Sequence, residues 1–306
     1  MKDLVGIKEL SRESIEEILN TAKAFKEVLG RDIKKVPTLR GKTAINLFFE
    51  PSTRTRTSFE LAEKRLSLDV LNFSISMSSV VKGETLYDTL KTIEAYNVDY
   101  IVIRHSSSGA AKFVAENTNA SVINAGDGTN EHPTQALLDA FSILEVKGRL
   151  DGLKISIVGD IIHSRVARSN LYLLSNFDTE IRFVGPPTLL PEDAQANVKI
   201  FYDLREGLKD ADVVMLLRIQ FERQNAAFIP SLKEYFHVWG VKKEIFSYLK
   251  DDAIIMHPGP MNRGVEISTE VADSSRSIIL KQVTNGIATR MAVIYLLKPK
   301  GGTVDL

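Results

Sequence analysis

The sequence predicts an α/β protein of two domains, each a parallel β-sheet flanked by helices, with crossing helices that join the two. The first observation is the length, because 306 residues exceed the size of one typical domain. The second is a rhythm of short apolar runs that alternate with amphipathic stretches, which is typical of βαβ units. The third is that several runs, such as VVMLL at 213–217, are apolar throughout, as strands covered by helices on both faces are.

The first half begins with a predicted helix and continues as four strand–helix pairs. Ser11 can cap the helix, the apolar positions between 15 and 29 keep helical spacing, and Gly30 suits its end. Strands are predicted within 43–50, 70–76, 99–105 and 120–126, and the helices that follow them within 57–66, 85–96, 110–117 and 134–146. This order predicts one parallel sheet.

The second half repeats the rhythm and predicts a second sheet. Its strands are predicted within 153–160, 180–186, 198–203, 212–218 and 252–258. The helix at 134–146 is expected to bridge the halves, and the last amphipathic stretch, 287–297, has no strand after it and can return to the first domain. We therefore predict a first domain of residues 1–132, completed by about 287–306, and a second domain of residues 133–286.

Composition excludes several classes of function. The 39 basic and 39 acidic side chains cancel, so no overall field draws the chain to nucleic acid or to an anionic membrane. The sequence has no Cys, which excludes disulfides and thiolate metal sites, and its five His are too scattered to predict a metal cluster. No apolar run approaches the roughly 18 residues of a membrane span, and the N-terminus turns polar too early for a signal peptide. We expect a cytoplasmic protein without a metal or an organic cofactor.

A candidate anion site follows the first strand, where the sequence runs PSTRTRT at 51–57. In open α/β sheets, ligands bind beyond the carboxyl ends of the strands. The next helix is expected to begin near Thr57. A strand that feeds such a helix through hydroxyl residues and Arg points free N–H groups, a positive helix end and a guanidinium at one spot, which suits phosphate. Ser/Thr caps beside solvated charges are common too, so the spacing alone leaves both interpretations open.

The residues around this segment resemble a known family. STRTRTSFE, at 52–60, resembles the carbamoyl phosphate signature of the aspartate/ornithine carbamoyltransferase family. The likeness continues along nearly the whole chain: SSVVKGET at 78–85 is similar to a loop of the family, Arg104 follows the third strand, and HPTQ at 132–135 matches the motif at the crossing helix. The resemblance implies a carbamoyltransferase of two α/β domains.

The second half distinguishes the branches of that family. RIQFER at 218–223 resembles the R-x-Q-x-E-R segment of the aspartate branch, and HPGP at 257–260 resembles its companion turn. The ornithine branch carries an H-C-L-P turn instead, and this sequence has no Cys. We therefore expect a dianionic second substrate, L-aspartate, because guanidinium forks such as those of Arg165 and Arg218 can pair bidentately with carboxylates.

The resemblance implies a reaction and a role for each site residue. The amine of L-aspartate attacks carbamoyl phosphate directly, without a covalent intermediate, and gives N-carbamoyl-L-aspartate and phosphate, an early step of de novo pyrimidine biosynthesis. Phosphate is assigned to Ser52, Thr53, Arg54, Thr55 and Arg104; the carbamoyl oxygen to Thr55, Arg104 and His132; and the carbamoyl NH₂ to Gln135 and the backbone of Pro258 and Gly259. Aspartate is assigned to Arg165, Arg218 and Gln220, with Lys82 reaching both substrates. The catalytic residues are then Arg54, Thr55, Lys82, Arg104, His132 and Gln135.

The resemblance also implies an assembly. It predicts a homotrimer with shared active sites, in which Ser78 and Lys82 reach the phosphate site of the neighbouring subunit. It leaves open whether regulatory chains or dihydroorotase bind this trimer.

Simpler interpretations of single residues stay open at this point. A His before Pro, such as His132, is more often a turn residue than a catalytic one, and Lys82 beside a Gly is ordinarily a solvated loop charge. Arg165 and Arg218 are equally suited to surface ion pairs worth about 0–1 kcal/mol each. The other four histidines receive no catalytic role: His105, His163, His237 and His257. For the whole chain, the alternatives are a carbamoyltransferase for another amino acid and a non-catalytic scaffold subunit, which the intact set of catalytic residues disfavours.

Overall fold

A computed structural model of the chain describes residues 1–74, 84–193, 197–220 and 228–299. The chain folds into two compact units, Met1–Leu138 with Thr284–Leu306 and Asp139–Val283. Each unit is built on one parallel sheet with flanking helices, so the predicted fold class is confirmed. The division after Leu138 falls inside the helix Pro133–Lys147, whereas the sequence placed it at the start of that helix.

The first unit contains a four-stranded parallel sheet. Its strands are β1 (Thr43–Phe48), β2 (Asp69–Ser74), β3 (Tyr100–His105) and β4 (Ser121–Asp127), in the spatial order β2-β1-β3-β4. Its helices are α1 (Arg12–Leu29), α2 (Thr53–Arg65), α3 (Leu86–Glu94), α4 (Ala110–Glu116) and the start of α5 (Pro133–Lys147). Because the chain adds β2 on one side of β1 and β3 on the other, the strand order reverses between β1 and β3.

The second unit contains a five-stranded parallel sheet. Its strands are β5 (Lys154–Val158), β6 (Glu180–Val184), β7 (Val198–Phe201), β8 (Val213–Leu216) and β9 (Ile254–Met256), in the order β7-β6-β5-β8-β9. Its helices are α6 (Arg165–Leu174), α7 (Leu204–Leu208), α8 (Leu232–Trp239), α9 (Thr269–Ala272) and the start of α10 (Ile279–Leu296). The strand order reverses here between β5 and β8. No helix in the described parts of the chain is long and apolar enough to cross a membrane.

The helix α1 has the ends that the sequence predicts. The Ser11 hydroxyl accepts a hydrogen bond from the Ser14 N–H at 3.3 Å, and Gly30 follows the last turn. The apolar positions of this helix, among them Ile15 and Leu19, are buried. α1 therefore packs by one face, as its spacing indicates.

The helix α2 begins earlier than the sequence predicts. Its first residue is Thr53 rather than a residue near Thr57, because the Arg56 N–H already donates to the Ser52 carbonyl and closes the first turn. The helix α10 also begins earlier, at Ile279 rather than near 287. The hydroxyl residues after β1 thus belong to the first turn of a helix and not to a loop before it.

Glu63 is a buried acid in the second half of α2. Its side chain is fully buried, and the Asn46 Nδ2 donates to its Oε2 at 2.8 Å. Burial raises the pKa of Glu63 to about 7, since the charged form loses its hydration, and the Asn46 hydrogen bond offsets this only in part. The folded chain therefore keeps this acid protonated to a higher pH than the unfolded chain does.

We predict that Glu63→Gln removes a pH dependence of stability. Between the ordinary value of 4.5 and about 7, the folded chain holds a proton that the unfolded chain has released. The free energy of unfolding therefore falls as the pH rises through this window, by on the order of 3 kcal/mol.

Urea denaturation at about pH 5 and about pH 8 measures this effect. Wild type is expected to lose more stability than Glu63→Gln on going to the higher pH. The same change at exposed Glu17 in α1 is the matched control and is expected to behave as wild type. Equal losses in wild type and Glu63→Gln would contradict the assignment.

Candidate active site

The reversal of strand order between β1 and β3 creates a crevice beyond their carboxyl ends. Phe48, the last residue of β1, pairs with Arg104 near the end of β3, so both residues lie at this edge. The helix α2 starts directly after, with Ser52 at its N-cap. The free N–H groups of its first turn and the positive end of its dipole favour an anion here.

Among the described residues, no side chain caps the start of α2. The Ser52 side chain makes no capping hydrogen bond, unlike Ser11 in α1. Thr53 and Arg54 are exposed, and Thr55 is half-buried. An ordinary Ser cap therefore does not describe this helix start, and the geometry favours an anion site.

Arg104 is held in place from several sides. Its Nε lies 3.2 Å from Glu50 Oε2, and its Nη1 donates to the Ala125 carbonyl at 3.3 Å. Its own carbonyl accepts a hydrogen bond from the Phe49 N–H at 2.8 Å. Because Glu50 and Phe49 follow β1 and Ala125 lies in β4, the guanidinium is fixed near the ends of three neighbouring strands.

His132 and Gln135 lie at the start of α5, and both are buried. The loop before them is ordered by Asp127, whose carboxylate accepts hydrogen bonds from the Gly109 N–H at 2.6 Å and from the Glu131 N–H at 3.2 Å. Asp127 thereby ties the loop after β3 to the loop after β4. The HPTQ motif consequently starts from the same sheet edge as Arg104.

Sequence reasoning missed the N-terminal support of this loop. The Glu131 carboxylate accepts a hydrogen bond from the Ile7 N–H at 2.8 Å. Gly6 leaves room for this contact, since a Cβ at Gly6 would lie 2.6 Å from Glu131 Oε1. Neither residue carries a sequence signal for the contact, because it joins positions far apart in the chain.

In the second unit, a buried carboxylate again joins two loops at the reversal of strand order, between β5 and β8. Asp160, which follows β5, is buried, and its carboxylate accepts hydrogen bonds from the His163 N–H at 3.3 Å and from the Gln220 N–H at 3.1 Å. The His163 ring lies 2.7 Å from the same carboxylate. Asp160 therefore ties the loop that leads to α6 to the loop that follows β8.

The three residues predicted to bind aspartate lie on these two loops or directly after them. Arg165 is the first residue of α6 and only 2% exposed, which excludes a surface ion pair for this side chain. Arg218 follows β8 and is half-buried, and Gln220 Nε2 donates to the Arg218 carbonyl at 3.3 Å. The topology thus brings Arg165, Arg218 and Gln220 to the carboxyl ends of β5 and β8.

The HPGP turn follows β9 and is stabilised by a hydrogen bond between two of its own residues. The His257 ring is buried, and its Nδ1 accepts a hydrogen bond from the Gly259 N–H at 2.8 Å. Gly259 has a φ of +70°, in the left-handed region where Gly has no steric penalty. Gly therefore fits this position of the turn, and the neighbouring Pro258 is half-exposed.

Two predicted site residues, Ser78 and Lys82, lie outside the described residues, as does the end of the R-x-Q-x-E-R segment, 221–223. Among the residues that the structure describes, no group of three or more His, Asp or Glu is placed to hold a metal ion.

The chain is an α/β protein with Ser, Thr and Arg side chains at the strand reversal of its first unit and two Arg side chains at that of its second. The family model described as "Aspartate/ornithine carbamoyltransferase, carbamoyl-P binding domain" matches residues 2–145. The model described as "Aspartate/ornithine carbamoyltransferase, Asp/Orn binding domain" matches residues 151–297. The chain belongs to the aspartate/ornithine carbamoyltransferase family, which confirms the resemblance of its motifs.

Individual relatives match along nearly their whole length. The aspartate carbamoyltransferase catalytic subunit of Syntrophus aciditrophicus is 57% identical over 297 residues, 97% of each chain. The catalytic subunit of M. jannaschii aspartate transcarbamoylase is 40% identical, with a TM-score of 0.85, over 97% of this chain and 98% of that one. The Trypanosoma cruzi aspartate transcarbamoylase in complex with N-(phosphonacetyl)-L-aspartic acid is 32% identical, with a TM-score of 0.89, over 97% of this chain and 95% of that one.

Proposed function

We propose that the chain is an aspartate carbamoyltransferase, which converts carbamoyl phosphate and L-aspartate into N-carbamoyl-L-aspartate and phosphate. This reaction is an early step of pyrimidine biosynthesis. The observation that carries the proposal is the start of α2, where a first helical turn with Ser52 and Arg54 lies at the strand reversal beside Arg104. Relatives of more than half identical sequence that bear this name support it.

The reaction requires hydrogen-bond donors for the developing negative charge, and it needs no covalent intermediate. The aspartate amine attacks the carbamoyl carbon, a C–N bond forms, the C–O bond to phosphate breaks, and the amine loses a proton. The first turn of α2, Arg54 and Arg104 stabilise the departing phosphate. Thr55, Arg104 and His132 donate to the developing charge on the carbamoyl oxygen, and Gln135 binds the carbamoyl NH₂. These roles rest on the family resemblance together with the placement of the residues.

The second substrate is best assigned as a dianion. Arg165 and Arg218 supply two guanidinium groups beyond β5 and β8, and Asp160 orders both loops. A cationic amino acid such as ornithine would bring a further positive charge to this site, which Coulomb repulsion disfavours. The retention of Arg54 and His132 disfavours a non-catalytic scaffold.

The assembly is a further part of the proposal. By family resemblance, the active unit is a homotrimer in which Ser78 and Lys82 act in the neighbouring subunit's site, with Lys82 contacting both substrates. Binding of regulatory chains or dihydroorotase to this trimer stays open, and the cytoplasmic location stays a prediction.

We predict that Arg54→Ala lowers turnover by on the order of 10²–10³, because a charge-assisted donor to the leaving phosphate is lost. Circular dichroism is expected to show an intact fold, since Arg54 is exposed. The matched control is Lys64→Ala at the other end of α2, where the exposed ion pair with Glu60 contributes about 0–1 kcal/mol. A folded Arg54→Ala enzyme that turns over like the Lys64→Ala enzyme would refute the role of Arg54.

We predict that Arg218→Ala weakens binding of the second substrate by roughly 10–100-fold and spares carbamoyl phosphate, because a charged hydrogen-bond donor is lost from one site only. Calorimetry measures each ligand, with succinate as a non-reactive dicarboxylate in the presence of carbamoyl phosphate. The control is Arg263→Ala, which removes an exposed ion pair with Asp273 in the same unit. Equal losses of both affinities would identify Arg218 as a structural residue.

We predict that mixed trimers of Arg54→Ala and Lys82→Ala chains recover activity. Each mutant alone lacks one required cation in every site, but a closed ring lets an intact Arg54 receive Lys82 from a neighbour. The two mutant proteins are dissociated, reassembled together and compared with each reassembled alone. Mixed trimers that form without recovery would place Lys82 in its own subunit's site or outside catalysis.

A further inference from the structure

His257 is a buried histidine whose protonation is fixed by its neighbours. Its Nδ1 lies 2.8 Å from the nitrogen of the Gly259 N–H, which can only donate. Nδ1 must therefore accept, and the ring is neutral with its proton on Nε2. That Nε2 lies 3.0 Å from Glu266 Oε1, so it donates to a carboxylate that is buried as well.

The hydrogen bond to the ring orients one peptide group. The N–H and C=O of a trans peptide point in opposite directions, and the Pro258–Gly259 bond is not among the cis bonds of the described chain. The Gly259 N–H points inward at the buried imidazole. The Pro258 carbonyl therefore points away from the ring, and Pro258 is half-exposed.

Glu266 holds the same turn at a second point. Its carboxylate accepts a hydrogen bond from the Asn262 N–H at 2.5 Å, in addition to the bond from the His257 ring. The backbone of Glu266 is itself fixed, since its carbonyl accepts from the Val241 N–H at 3.0 Å. The ring of His257 consequently cannot rotate without breaking its bond to a firmly placed carboxylate.

The base of the turn is connected to the helix that carries Arg165. The His257 N–H donates to Gln282 Oε1 at 3.0 Å, and Gln282 Nε2 donates to Asp139 Oδ1 at 2.8 Å. Asn170, in α6, donates to the other Asp139 oxygen at 3.0 Å. These side chains are buried, so the chain of hydrogen bonds fixes the turn relative to α6 within the second unit.

We propose that His257 is a positioning residue that aims the Pro258 carbonyl at the NH₂ of the carbamoyl group, with Glu266 fixing its tautomer and ring orientation. This inference rests on the proposed function and on the family resemblance, which assigns that NH₂ to the backbone of Pro258 and Gly259 as well as to Gln135. It makes His257 and Glu266 determinants of specificity for a carbamoyl donor over an acyl donor. A methyl group in place of NH₂ offers the carbonyl no hydrogen bond.

The test compares two substitutions that distinguish the role of Nδ1 from the role of Nε2. His257→Asn places an amide oxygen near the position of Nδ1 and keeps an acceptor for the Gly259 N–H. His257→Gln extends further, toward the position of Nε2, and loses that acceptor. For each protein, kcat/KM is measured with carbamoyl phosphate and with acetyl phosphate, at saturating L-aspartate.

We expect His257→Gln to lose about tenfold in kcat/KM with carbamoyl phosphate and little with acetyl phosphate, the size of one hydrogen bond. His257→Asn is expected to keep the wild-type ratio of the two within about threefold. Binding of phosphonoacetamide, which carries the NH₂, and of 2-oxopropylphosphonate, which carries a methyl group, is expected to show the same pattern by calorimetry. If His257→Gln does not fold, Glu266→Gln is expected to lower the ratio in the same direction, because it removes the charge that fixes the ring.

Equal losses with both donors, or a His257→Asn enzyme as impaired in the ratio as His257→Gln, would show that the ring only supports packing and would overturn the proposal. Failure of the proposed function looks different. In that case wild type itself does not transfer a carbamoyl group to L-aspartate, whatever the variants do.

Discussion

The structure depends on one topological constraint, the reversal of strand order in each parallel sheet. The strands β1 and β3 are neighbours in the first sheet, as β5 and β8 are in the second. The chain leaves the two strands of each pair toward opposite sides, so the loops that follow them diverge and open a crevice. The predicted site residues lie in strands, helices and loops at such an edge and come from distant parts of the sequence: Arg54, Arg104, Arg165 and Arg218. The position of the candidate site therefore follows from the strand order of the two sheets.

Buried carboxylates order the loops at these strand ends. Asp127 joins the loops after β3 and β4, Asp160 joins those after β5 and β8, and Glu266 holds the turn after β9. Each accepts backbone N–H groups, which satisfies the loop and compensates the buried charge. In the turn after β9, the His257 ring takes up the Gly259 N–H, so the Pro258 carbonyl of the same peptide group points away from the ring. The supporting acids are thus as much a part of the site as the residues assigned to substrate.

Much of the fold can be predicted from the sequence, because strands and helices depend on local patterns of apolar and capping residues. The nine strands in the described part of the chain lie where apolar runs predict them, and α1 has its predicted cap at Ser11. The predicted start of α2, near Thr57, is wrong. Its hydroxyl residues are typical of a loop, and only the closed backbone turn shows that they are helical. The roles of Asp127 and Glu266 could not be predicted, because their partners are set by the packing of loops and not by spacing. Ser78 and Lys82 fall outside the described residues and stay predictions.

The identity of the second substrate can be tested in one assay. A single preparation is given carbamoyl phosphate with L-aspartate, with L-ornithine or with N-acetyl-L-ornithine, and the carbamoylated product is measured in each case. We expect transfer to L-aspartate to be at least about a hundredfold faster than to either other amine, because two guanidinium groups select a dianion. Transfer to L-ornithine or its acetylated form at a comparable or higher rate would contradict it.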